Sequence, residues 1–238
     1  MSSFTETLKV DNQDMALYVS TPDGTGPFPG VVVAQHAGGV DTFICAMADR
    51  LAEAGYVAAA PDLYHRLGPD DPRGPRELID AEMIADVQAT VAFLQNHSAV
   101  NSEALGITGF CMGGRVAYLM AAALPQFKAA EAYYGGNTMV ALGEGGASPF
   151  ERTSEINCPL LFHFGEEDAN PSPEDMQKID AELTRHNKAH EFYTYSDAGH
   201  AFMDFTGERH HEAAATAAWP RTLDFFARHL GNYGELDK

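Results

Sequence analysis

Residues 109–114 read Gly-Phe-Cys-Met-Gly-Gly, and no other stretch constrains the fold of this chain as much. Ahead of it, Ala104-Leu105-Gly106-Ile107-Thr108 is an apolar run of strand length, and residues 115–124 behind it read as a helix. Strand, tight turn and helix are the context that a G-x-S-x-G nucleophile elbow requires, with Cys111 here at the serine position. The flanking glycines have a steric reason, because a sharp turn leaves no room for neighbouring side chains. Cys111 is therefore expected at a helix N-terminus. Unpaired N–H groups and the positive end of the helix dipole favour a thiolate there and can hold an oxyanion. On its own the motif leaves another role open, a Gly-rich turn that binds phosphate or merely packs a small cysteine.

The chain has 238 residues, which fits one α/β domain, and a single domain over 1–238 is expected. Its 15 basic and 34 acidic residues give a formal net charge of −19, which argues against nucleic acid or an anionic membrane as a partner. Three cysteines without close spacing make no disulfide framework and point to a reducing compartment. Residues 1–7 lack the basic flank and apolar stretch of a signal peptide. The longest apolar run, residues 116–124, is far shorter than the roughly 18 residues that suggest a membrane span. A cytoplasmic protein without membrane contact is expected.

Alternating segments at 7–10 and 15–19, separated by Asp11-Asn12-Gln13-Asp14, predict an N-terminal hairpin. Buried strands are expected at 31–34, 57–60, 104–108, 129–134, 159–164 and 191–195. Helices are expected at 42–54, 77–96, 115–124, 174–185 and 215–230, the second from the spacing of Ile79, Met83, Ile84, Val87, Val91 and Leu94. This alternation predicts an α/β chain with a mostly parallel sheet, helices on both faces and the site at the strands' C-terminal ends. The segments 68–75 and 143–149 are too rich in Gly and Pro for regular elements. They read as surface loops, either beside the pocket mouth or, more simply for the second, a connector. The aromatic pairs Tyr133-Tyr134 and Phe225-Phe226 read as core.

A nucleophilic thiol needs a base to hold its proton and a carboxylate to orient that base. The strand at 159–164 runs into Gly165-Glu166-Glu167-Asp168, and the strand at 191–195 into Ser196-Asp197-Ala198-Gly199-His200. Asp168 and His200 thus follow Cys111 in the order nucleophile, acid, histidine. Asp197 reads as a turn residue and is the reserve acid. A metal site at His210-His211 with Asp204 or Glu208 has no usual ligand spacing.

Together with Ala60-Pro61-Asp62-Leu63-Tyr64 and Ala198-Gly199-His200-Ala201-Phe202, these motifs resemble the dienelactone hydrolase family over residues 30–230. The resemblance implies an α/β-hydrolase fold and a Cys111, His200, Asp168 triad acting on a small ester or lactone, with no metal or organic cofactor. It implies oxyanion donors at the backbone N–H of Met112 and Ala37, and a pocket containing Tyr64 and Phe202. Two positions depart from the family pattern. His36 stands where dienelactone-hydrolysing members carry a glutamate beside the cysteine, and Asp204 stands four residues after His200, where a carboxylate-binding arginine falls. A second such arginine is expected among Arg66, Arg73 and Arg76. True dienelactone hydrolysis is therefore not the expectation. A cysteine esterase or lactonase, monomeric or homodimeric, is expected, with a non-catalytic small-molecule binder as the alternative.

Overall fold

The computed structural model of the protein describes residues 1–67 and 78–231. Its N-terminal hairpin pairs β1 (Ser2–Val10) with β2 (Gln13–Thr21). Asp11 and Asn12 form the turn, both at positive φ (48° and 65°), and such mirror-image turns match the twist of paired strands. β3 (Phe28–Ala34), α1 (Thr42–Glu53), β4 (Val57–Pro61) and α2 (Asp80–Asn96) follow. Then come β5 (Val100–Phe110), α3 (Met112–Ala123), β6 (Phe127–Tyr133), a 3₁₀ turn at Phe150–Glu155 and β7 (Leu160–Gly165). α4 (Pro173–Arg185), β8 (His190–Tyr195) and α5 (Glu212–Leu230) complete the order.

The eight strands form one sheet in the order β1-β2-β4-β3-β5-β6-β7-β8. Pairing is antiparallel from β1 to β4 and parallel from β4 onward. β3 and β4 are buried along their whole length, which is why they read as continuous apolar runs instead of alternating ones. Successive residues still serve opposite faces. Val31 and Val33 pack with Phe43, Met47 and Leu51 of α1 and with Phe225 and Phe226 of α5. Val32 and Ala34 face the other way, into the apolar cluster that also holds Val87, Val116 and Ile179 from α2, α3 and α4. Tyr133 and Tyr134 are buried as expected, and Tyr133 stacks on Phe110.

From β3 the chain steps back to β4, and α2 then carries it across β3 to β5, so the strand order reverses between β3 and β5. Crevices open at such switch points, outside the carboxyl ends of the strands. The loop after β3 and the turn after β5 meet there.

The helices are capped by nearby side chains. Asp41 accepts from the N–H groups of Phe43 (3.0 Å) and Ile44 (3.1 Å) at the start of α1, and Ser172 with Asp175 forms a capping box on α4. α3 starts at Met112, three residues before the expected helix, because Gly113 and Gly114 lie inside it. β5 starts at Val100, four residues before the expected strand, through the polar residues 101–103. Among the described residues no helix is long and apolar enough to cross a membrane. The segment 68–75, with Arg73, lies outside the described residues, as does Arg76. Residues 143–147 are exposed, while Ser148 is tied to Glu151 through both its N–H and its hydroxyl.

Candidate active site

Cys111 occupies the turn between β5 and α3 with φ 56° and ψ −115°, a conformation that is costly for a residue with a side chain. The surroundings hold it there. Its N–H donates to the carbonyl of Tyr133 (3.0 Å), and its carbonyl accepts from Gly114 (2.9 Å). A Cβ on Gly109 would come within 2.0 Å of the Gly113 carbonyl oxygen, and one on Gly113 within 2.1 Å of the Ala34 oxygen. The elbow can therefore press against β3 only with glycine at both positions.

Asp168 and His200 arrive on two loops tied by their backbones. Glu166 N–H donates to the Tyr195 carbonyl (3.0 Å) and Glu167 N–H to the Ala198 carbonyl (3.0 Å). A Cβ on Gly165 would lie 2.0 Å from the Ala198 oxygen, so this approach needs the glycine. His200 Nδ1 is 2.8 Å from Asp168 Oδ2, and Nε2 is 2.9 Å from Cys111 Sγ. Because a carboxylate only accepts, Nδ1 carries the proton in that contact. Asp168 is buried, and its other oxygen accepts from Asn170 N–H (2.8 Å). Asp197 is an exposed turn residue with φ 57°. The ring of Tyr134 meets His200 edge-on at 5.2 Å.

Burial pushes the Cys111 thiol up, but His200 and the backbone N–H groups of Met112 and Ala37 outweigh burial and hold it below the ordinary thiol value. Burial pulls the His200 imidazole down, but Asp168 and Cys111 outweigh that and raise it from 6.5 to about 9. Both directions favour a thiolate beside an imidazolium. The two donors at the sulfur are the pair expected around an oxyanion, Met112 at the first turn of α3 and Ala37 in the loop after β3. Tyr64 supports that loop: its hydroxyl donates to the Ala37 carbonyl (3.1 Å) and touches Met112 Sδ (3.7 Å). Burial pushes its hydroxyl up to about 12, so it stays a donor.

Cys111 and His200 open into a cavity of about 740 Å³, walled also by Arg115, Asn137, Val140 and Leu142. Of the residues expected in the pocket, none of His36, Tyr64, Phe202 and Asp204 is among its walls. His36 pairs its Nε2 with Asp41 Oδ2 (2.8 Å). Tyr64 is bonded through its hydroxyl to the Ala37 loop. Phe202 is fully buried against Tyr133, Tyr134 and Tyr195, a core residue and not a wall. Asp204 folds back on its own turn and accepts from the N–H (3.0 Å) and hydroxyl (2.6 Å) of Thr206.

The expected arginine also differs. Arg66 is spent on Asp86 (2.6 Å) and Asp11 (2.7 Å). The guanidinium at the cavity belongs to Arg115, one helical turn after Cys111. Its only sequence signal was a charge on the apolar helix 112–123, which needs a partner when buried. His210 bonds Phe202 O (3.0 Å) and Glu212 (3.1 Å), while His211 caps α5 through Ala214 N–H. Among the described residues no group of three or more His, Cys, Asp or Glu side chains could hold a metal ion.

Known proteins resemble this chain over most of its length. The model of the dienelactone hydrolase family matches residues 15–230. A Yersinia pestis protein described as "Putative carboxymethylenebutenolidase" is 34% identical, over 94% of this chain and 87% of its own. A Bradyrhizobium protein described as "Probable 2-oxo-3-(5-oxofuran-2-ylidene)propanoate lactonase" is 31% identical, over 95% of this chain and 97% of its own. The crystal structure of a "Putative Dienelactone Hydrolase" from Klebsiella pneumoniae superimposes with a TM-score of 0.88 at 31% identity, covering 96% of this chain and 99% of that one. An eight-stranded α/β-hydrolase sheet, an elbow at its switch point and a family match over nine-tenths of the chain lead to one conclusion: the chain belongs to the dienelactone hydrolase family.

Proposed function

We propose that this family member hydrolyses a carboxylic ester or lactone through an acyl-cysteine intermediate, with Cys111, His200 and Asp168 as its triad. The supporting observation is the continuous contact from Asp168 Oδ2 through His200 to Cys111 Sγ, at 2.8 Å and 2.9 Å. The Cys111 thiolate attacks the carbonyl carbon, and the N–H groups of Met112 and Ala37 take the charge that develops on the carbonyl oxygen. Collapse of the tetrahedral adduct breaks the C–O bond, and His200 Nε2 gives its proton to the departing alkoxide. His200, now neutral, takes a proton from water as hydroxide adds to the thioester. The thiolate leaves, and the thiolate and imidazolium are restored. Asp168 holds Nδ1–H throughout. Losing one oxyanion donor costs roughly 3 to 4 kcal/mol of barrier in comparable sites.

The same reading takes the chain as one cytoplasmic domain, monomeric or homodimeric, without nucleic-acid or membrane partners. The unpaired Cys45, Cys111 and Cys158 and the net charge of −19 support it. The test is hydrolysis of a generic aryl ester by the wild type and by Cys111→Ala and His200→Ala. The wild type is expected to exceed both variants by at least about a hundredfold, the low end of what a positioned acid or base contributes. A wild type no faster than the variants, with Cys111 resistant to alkylation near neutral pH, would replace the enzyme by a binding protein.

A further inference from the structure

Among the described residues that wall the cavity, Arg115 is the one guanidinium or ammonium, and it is already committed. Its Nη1 donates to Asp80 Oδ1 (2.6 Å) and its Nη2 to Asp80 Oδ2 (3.0 Å). Nε donates to the Asn137 carbonyl (3.1 Å) and Nη2 also to the Val140 carbonyl (2.5 Å). Four of the five N–H donors of a guanidinium are thereby used. Asp80 is engaged in turn, since its Oδ2 accepts from Leu142 N–H (2.9 Å). With 3% of the Arg115 side chain and 13% of Asp80 exposed, withdrawing the arginine would strand a largely buried carboxylate.

The clamp therefore does two things at once. It fastens the segment holding Asn137, Val140 and Leu142 to α2 and α3 as a cavity wall, and it cancels the wall's positive charge. What remains is apolar at Met112, Val140, Leu142 and Ala169, neutral at Asn137 and Asn170, and anionic at Glu167 and Asp168. The Cys111 thiolate and the His200 imidazolium sum to zero, so Asp168, although bonded to His200, and Glu167 leave the site with a net negative charge. A substrate carboxylate in this space would lose water and meet like charge, with no free cation among the described walls to receive it.

We propose that Arg115, Asp80 and Glu167 set the specificity of the site, which accepts esters or lactones uncharged in both acyl and alcohol parts and rejects those bearing a carboxylate. The inference rests on the acyl-cysteine reading above. Ethyl hexanoate and monoethyl adipate, which share acyl length and differ in a terminal carboxylate, make the comparison, with kcat/KM followed by pH-stat. The wild type is expected to prefer the neutral ester by at least about tenfold. Glu167→Gln, at an exposed position, removes one carboxylate, and Asp80→Asn frees Arg115 to receive an anion. Each is expected to shrink the ratio of the two esters by several-fold, and a loss common to both substrates cancels in that ratio. Should Asp80→Asn fail to fold, Glu167→Gln still reports. A wild-type ratio near one or inverted, or a ratio unmoved in the folded variants, overturns the specificity while leaving the triad reading intact. If the wild type turns over neither ester faster than Cys111→Ala does, the acyl-cysteine reading falls and this inference with it.

Discussion

At the scale of single residues, the thiol at 111 is governed by what touches it. Cys111 is lowered and His200 is raised to about 9, so the ion pair exists above the first value and below the second. As pH falls through the Cys111 value the thiolate takes a proton, and as pH rises past about 9 the imidazolium loses one. Haloacetamide alkylation of Cys111 is thus expected to keep its rate below the ordinary cysteine value of about 8.5. In His200→Ala the acid limb is expected to move to higher pH, because the strongest opposition to burial is gone. A wild-type limb at the ordinary value would contradict the ion pair. Cys111, Asp168 and His200 were legible in the sequence because each sits in a short local pattern after an apolar strand. Arg115 and Asp80 were not, since their pairing joins positions 35 residues apart on two helices. His36 and Phe202 were placed in the pocket because sequence position does not reveal which way a side chain turns. A partner at Asp41 took the first, and burial among tyrosines took the second.

At the scale of elements, the site depends on how closely α3 approaches β3. In Gly113→Ala the new Cβ would stand 2.1 Å from the Ala34 oxygen and 2.7 Å from the Gln35 oxygen. Both are backbone atoms, so no flexible side chain can yield and the helix itself must retreat. Overpacking of this kind costs about 1 to 3 kcal/mol, and the melting temperature should fall by roughly 2 to 4 °C for each kcal/mol. Activity is expected to fall as well, because retreat of α3 draws Cys111 away from the N–H of Ala37. Gly146→Ala, with nothing within 4 Å of its Cβ, is the matched control and should change stability by no more than about 0.5 kcal/mol. A Gly113→Ala melting curve coincident with the control's would refute the close approach. Element types were legible from periodicity and burial. Boundaries moved where tertiary pairing overrode composition, as in the polar start of β5, which pairs Val100 and Asn101 with Phe28 and Pro29.

At the scale of the whole molecule, the parallel half of the sheet is fastened by a polar string that crosses it beneath the site. Glu131 on β6 accepts from Thr108 on β5 (2.7 Å), from Thr222 on α5 (2.5 Å) and from His163 Nε2 on β7 (3.1 Å). His163 Nδ1 meets the Tyr195 hydroxyl on β8 (2.8 Å), and Arg221 donates to that oxygen from α5 (3.1 Å). With the arginine donating, the Tyr195 O–H is free to donate to Nδ1, and the Nε2 proton of His163 faces Glu131. Glu131, His163 and Thr222 are all 0% exposed, so no water is at hand to replace a missing partner. Glu131→Ala would leave two hydroxyls and an imidazole N–H without their acceptor in a dry interior, a loss of about 3 to 5 kcal/mol by analogy with broken buried pairs. Glu131→Gln keeps a carbonyl acceptor and should cost less. Urea unfolding followed by far-ultraviolet circular dichroism measures both. If Glu131→Ala costs under about 1 kcal/mol, the string contributes no more than an ordinary hydrogen bond, and the four strands it crosses are held by their apolar faces alone.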